Sequence, residues 1–354
     1  MENNMTVQNT YENNFIPTEE GPDFNTIKKK TAQAYNRTGA AMSLHFAILI
    51  AFQIVVATIF NVVYLAQGHT VDEYMTFAST NTVYLLALTA ASYTVAHISA
   101  YFIGLGLTHR TKGAGKLFAK SKLSGKAMLF AFGAALGGQC ISILLQTLTT
   151  VISGSSGMEN MNTDMLSIGS DMTQNILLFL YMVIIGPVGE EIVLRGMALR
   201  NMTVSNRNFG IIMTAVMFGL FHGNIMQFFV GLVLGLLFAY VDVKAGSVIP
   251  SIILHVFNNA LAFALSVEEY LLSESAAQTF ELVYIGVIFV LGVIGTVMLI
   301  KTLKGTPDPE DSAYAPVYKA ESADMKKLSV NLALKSPCLW IFTMIYIIYI
   351  IQNF

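Results

Sequence analysis

Several apolar runs in this chain reach about 18 residues or more, the length that spans a bilayer rather than fills a soluble core. Composition agrees: 54% of residues are hydrophobic and 12% charged, where a soluble domain carries about 25% charged residues. The expected fold is all-α, a polytopic transmembrane helical bundle of about eight to nine spans. A net charge of −2 makes no case for a nucleic-acid partner. Cys140 and Cys338 lie far apart, in or beside apolar runs, which gives neither a disulfide framework nor a metal-site spacing. Each reads as a small buried hydrophobe.

Residues 1–39 are polar, rich in Asn and Thr, and lack the apolar core of a signal peptide, so a disordered cytoplasmic tail is expected there. The expected spans are 42–66, 82–107, 127–152, one starting at 173, then 208–222, 225–243, 247–266, 280–300 and 337–351. Basic and acidic connections alternate. Lys28, Lys29, Lys30 and Arg37 precede the first span, while Asp72 and Glu73 follow it. Arg110, Lys112, Lys116, Lys120, Lys122 and Lys126 follow the second, and Glu159, Asp164 and Asp171 follow the third. The positive-inside rule then gives a multi-pass protein of the cell membrane with a cytoplasmic N-terminus, in contact with membrane lipids. Arg200, Arg207 and the lysines read as topology signals and headgroup contacts. The expected organisation is a tail (1–39), a transmembrane domain (40–303) with its core at 173–265, a polar cytoplasmic connection (304–335), and a last helix (336–354) that crosses the membrane or lies at its interface. The pairs Gly133/Gly137 and Gly231/Gly235 have a spacing that lets membrane helices approach.

The fourth span contains Glu190, Glu191 and Arg195. Ionisable groups in a bilayer cost about 3 kcal/mol or more each unless paired. Either the helix ends near Gly189 or these residues have a task. Leu194, Met197, Ala198 and Leu199 favour a helix continuing to Arg200, with Pro187 as a kink. At 1.5 Å per residue Glu190 then lies roughly 15 Å deep, His222 roughly 20 Å and His255 roughly 12 Å. Glu191 and Arg195 are four apart in the favourable order for an ion pair. Glu190 points about 100° away and lacks that partner, as suits a general base or acid. His255 and Asn259 share a helix face, and Phe218 lies one turn before His222. Asn224 and Gln227 are weaker candidates for support. His45 and His97 stand in apolar runs without neighbouring acids, and His69 and His109 in loops; all four read as structural or solvated.

The ordered set Glu-Glu-x-x-x-Arg, Phe-x-x-x-His and His-x-x-x-Asn on successive apolar segments resembles the CPBP family of CAAX-processing and bacteriocin-processing intramembrane proteases, over roughly 173–265. The resemblance implies hydrolysis of a peptide bond in a membrane-anchored protein or peptide. It implies that Glu190 activates water, that Glu191 and Arg195 support the motif, that His222 helps hold the water or a metal, and that His255 and Asn259 bind the developing oxyanion. Glu190, His222 and His255 would form an acceptable catalytic zinc set. A metal-free scheme, with Glu190 as base and His222 orienting the water, uses each residue once, so the cofactor is either none or Zn2+. Two rival readings are a non-catalytic scaffold or bacteriocin self-immunity protein, and a proton-coupled transporter, since buried Glu and His also build proton relays.

Overall fold

The computed structural model describes residues 23–108, 114–153, 168–310, 312–315 and 323–352. Thirteen α-helical segments and no strand occur among them. In order they are α1 (Phe24–Ala66), α2 (Val71–Thr80), α3 (Thr82–Thr108), α4 (Gly125–Ser153), α5 (Met172–Phe179), α6 (Gly186–Val193), α7 (Arg200–Met202), α8 (Arg207–Phe221), α9 (Ile225–Ala245), α10 (Ile249–Leu271), α11 (Glu274–Leu303), α12 (Ala323–Leu334) and α13 (Pro337–Gln352). Leu180–Ile185 and Leu194–Leu199 are π-helical, so α5, α6 and α7 join into one helical stretch from Met172 to Met202. Glu190 is therefore inside a helix rather than at its end, and the longer reading of the fourth span is correct.

Seven helices are long and apolar enough to cross a membrane, or eight if α12 and α13, bent by 62°, count as one. This is a polytopic helical bundle. Its spans are fewer than the nine segments listed above because α8, at 15 residues, is shorter than a crossing needs. The outward faces are apolar: Leu282 on α11 is 73% exposed and Leu129 on α4 is 66% exposed. Faces of this kind are stable against lipid and not against water.

Two expectations need correction. The tail expected at 1–39 is helical from Phe24, with Asp23 capping it by accepting from the Thr26 N–H. Residues 1–22 lie outside the described residues. Ile27 and Tyr35 are buried there, so this part packs onto the bundle. Arg200 and Arg207 do not reach for headgroups. Arg200 is 2% exposed, and Arg207 pairs with Asp308, which also binds Lys244 at 2.8 Å. In the connection after α11, Tyr314 is fully buried against Leu117, Leu199 and Val248. Burial, reinforced by the Asp242 and Glu191 carboxylates, pushes its hydroxyl well above its usual range. Arg110, Lys112, His109, Glu159 and Asp164 fall outside the described residues. Both cysteines are free, Cys140 buried and Cys338 half-buried.

The glycines of α4 have a definite partner. Gly133 lies against Gly295 and Gly137 against Gly292, so closely that a Cβ on Gly292 would come within 2.4 Å of the Gly137 Cα. Gly231 and Gly235 of α9 are met by α8 at Gly219 and Ala215. Forcing a side chain between backbones costs about 1–3 kcal/mol. Gly292→Leu should thus lower the thermal stability of the detergent-solubilised protein, whereas Gly286→Leu, in open space on the same helix, should not.

Candidate functional site

The site is built on α6. Arg195 Nε lies 3.0 Å from Glu191 Oε2, and neither side chain is exposed. Arg195 also sits 4.4 Å from the centre of the Phe218 ring and 5.6 Å from that of Phe238. Its charge thus faces one carboxylate and two aromatic faces, an arrangement that lowers the cost of burying it.

Glu191 has a second partner. Its Oε1 is 2.8 Å from His255 Nδ1 on α10. A carboxylate held ionised by arginine only accepts, so the imidazole donates its Nδ1–H. That fixes the ring and leaves Nε2 facing outward, 3.7 Å from Glu190 Oε2. Phe218 and Phe238 flank the ring, with centroids 5.4 and 5.5 Å away. The order Arg195–Glu191–His255–Glu190 is a continuous chain of charge-bearing groups. Glu191 is more than an ion-pair partner for arginine: it orients the histidine beside Glu190. Sequence spacing placed Glu191 with Arg195 and said nothing of α10.

His222 caps α8 and turns Nδ1 to the Phe218 carbonyl at 2.9 Å. The Phe218 ring packs on it at 4.8 Å, as its position one turn earlier suggests. His222 thus joins the site through Phe218, and among the described residues no hydrogen bond or ion pair links it to Glu190. Asn259 Nδ2 donates to the Met182 carbonyl at 2.8 Å, which uses one of its two amide N–H groups. Asn224 caps α9 through Met226 N and Gln227 N, which gives it a local structural task.

The sequence reading assigns His45 and His97 to structure or solvent and passes over Asp242. His97 lies against Gly189, where a Cβ would come within 3.0 Å of its Nδ1. Glu190 is within electrostatic reach of Tyr93, His97, Tyr181 and Tyr346. His45 stacks beside His97 at 5.0 Å. His97 therefore has an acid nearby; it comes from another helix, and nothing local in α3 announces it. Asp242 is fully buried and accepts from Ser251 N at 3.0 Å and Ser251 Oγ at 2.7 Å. It ties the first turn of α10, and with it His255, to the end of α9.

The donors do not converge on a metal. Among the described residues no three His, Cys, Asp or Glu side chains form a metal-holding group. The set Glu190, His222 and His255 does not fit a zinc ion as arranged, and no step below uses one.

A carboxyl and an oriented histidine thus meet inside a polytopic helical bundle. The family model for type II CAAX prenyl endopeptidase Rce1-like proteins matches residues 172–261, so this stretch is an Rce1-like domain of the CPBP type. No curated protein and no solved structure matches the chain.

Proposed function

We propose that this protein is an intramembrane endopeptidase that hydrolyses one peptide bond of a membrane-anchored protein or peptide, with Glu190 as its general base. The observation that carries the reading is the Glu191–His255–Glu190 arrangement inside the Rce1-like domain. Glu190 takes a proton from a water, whose oxygen attacks the scissile carbonyl carbon. His255, protonated at both nitrogens, keeps Nδ1–H on Glu191 and offers Nε2–H to the oxygen that gains charge. Asn259 keeps one amide N–H beyond the one used on Met182 and offers it to the same oxygen. As the C–N bond breaks, Glu190 returns the proton to the leaving nitrogen. His222 helps orient the water. The N-terminus is cytoplasmic, and the site is reached from that side, which suits substrates whose cleaved end is cytoplasmic. Prenylated proteins, bacteriocin precursors and peptide pheromone precursors are the substrate classes this reading proposes.

The test uses purified protein in liposomes and a lipid-anchored, quenched peptide, with the products identified by mass. Two fragments differing from the substrate by one water, at a rate indifferent to a zinc chelator, are expected. Loss of cleavage on chelation, restored by zinc alone, would make the site a metal centre and overturn the scheme.

A further inference from the structure

Four polar side chains from three helices form one hydrogen-bonded line that ends beside the candidate site. It is best followed from its fixed end. The Gly186 N–H bonds the Tyr181 carbonyl five residues back, in the π register. One residue on, that register would direct the N–H of residue 187 to the Met182 carbonyl, but Pro187 has none. The carbonyl takes Asn259 Nδ2 instead, at 2.8 Å.

A carbonyl only accepts, so the Asn259 amide must present its NH2 to Met182 and turn Oδ1 away. That Oδ1 accepts from Asn258 Nδ2 at 3.2 Å. Asn258, turned so, has Oδ1 left over, which accepts from Gln139 Nε2 on α4 at 2.8 Å. Gln139 in turn offers Oε1 to the Tyr284 hydroxyl on α11 at 2.6 Å. Every amide orientation follows from one carbonyl. A flip of any member sets donor against donor or acceptor against acceptor, with no bulk water at hand to compensate. Asn258, whose neighbour Asn259 carries the motif, thereby has a definite task. Two adjacent helical residues do not face one point, but they do bond each other.

We propose that Tyr284, Gln139 and Asn258 are positioning residues that set the orientation of the Asn259 amide, so that the N–H not used on Met182 is held for the developing oxyanion. This rests on the protease reading above. The polar line links α11, on the outer side of the bundle, to catalysis without touching substrate.

The experiment measures kcat and KM in liposomes for wild type, Glu190→Gln, Gln139→Met, Asn258→Ala and the double variant Gln139→Met/Asn258→Ala. Gln139→Met leaves the Asn258 oxygen without a donor. We expect kcat to fall about 10-fold, less than the about 10²–10³ of losing an oxyanion donor outright, with KM held within about two-fold. Asn258→Ala should fall similarly, and the double variant no further. Unchanged kcat in Gln139→Met, or losses that multiply in the double variant, would overturn the proposal. If Glu190→Gln cleaves like wild type, or wild type does not cleave, it is the protease reading that fails. The line itself is then judged by melting temperature. Tyr284 and Asn259 share no hydrogen bond, so a Tyr284→Phe shift that changes in an Asn259→Ala background reports coupling through the line, whereas additive shifts refute it.

Discussion

Glu191→Ala should be the most destabilising single substitution in the core, by about 3–5 kcal/mol, because it leaves a fully buried guanidinium without its carboxylate. It also takes the acceptor from His255 Nδ1. Thermal unfolding of the solubilised protein reads the effect. The informative comparison is the double variant Glu191→Leu/Arg195→Met, which removes both charges at similar volume. Buried pairs replaced in this way are often close to neutral, so the double should recover much of what either single loses. A double variant as unstable as the sum of the singles would mean that the ion pair is not what holds α6 against α8 and α9. The double should nevertheless stay slow, since His255 has lost its orienting carboxylate.

The second large effect is on the histidine itself. His255→Ala should lower kcat by about 10²–10³-fold, the usual contribution of a donor to the developing oxyanion. The stability cost should be modest: Glu191 keeps Arg195, and the aromatic rings of Phe218 and Phe238 remain on the arginine. His255→Gln should retain more stability than His255→Ala, because an amide can still donate to Glu191, yet it lacks a second nitrogen donor in line for the developing oxyanion. Steady-state kinetics beside a melting curve separates the two effects. A His255→Ala protein with wild-type kcat would remove the histidine from the mechanism.

Much of this was legible in the residues because membrane burial is so restrictive. Long apolar runs leave few folds, and a carboxylate in such a run asks for a partner. The four-residue step from Glu191 to Arg195 and the Phe218–His222 packing follow from helix geometry alone, and the structure contains both. What was not legible lies between helices. Helical spacing cannot say that Glu191 bonds His255, 64 positions away, or that His97 of α3 backs onto Gly189. Nor did Pro187 read as more than a kink. Its missing N–H frees the Met182 carbonyl, and that carbonyl, more than the pairing of His255 with Asn259 on one face, decides where Asn259 points. The polar opening of the chain misled in a simpler way. Asn25, Lys28, Lys29 and Lys30 occupy the exposed face of a helix whose Ile27 and Tyr35 are buried, so composition outweighs periodicity.

The central claim is that Glu190 is the base. The most direct measurement is kcat of Glu190→Gln against wild type, on the lipid-anchored peptide in liposomes, with melting temperatures taken on the same samples. The account predicts a loss of at least about 10³-fold with an unchanged melting curve, because Glu190 is half-buried, faces His255 across 3.7 Å and is no part of the Glu191–Arg195 pair. A folded Glu190→Gln protein that cleaves at the wild-type rate would contradict it.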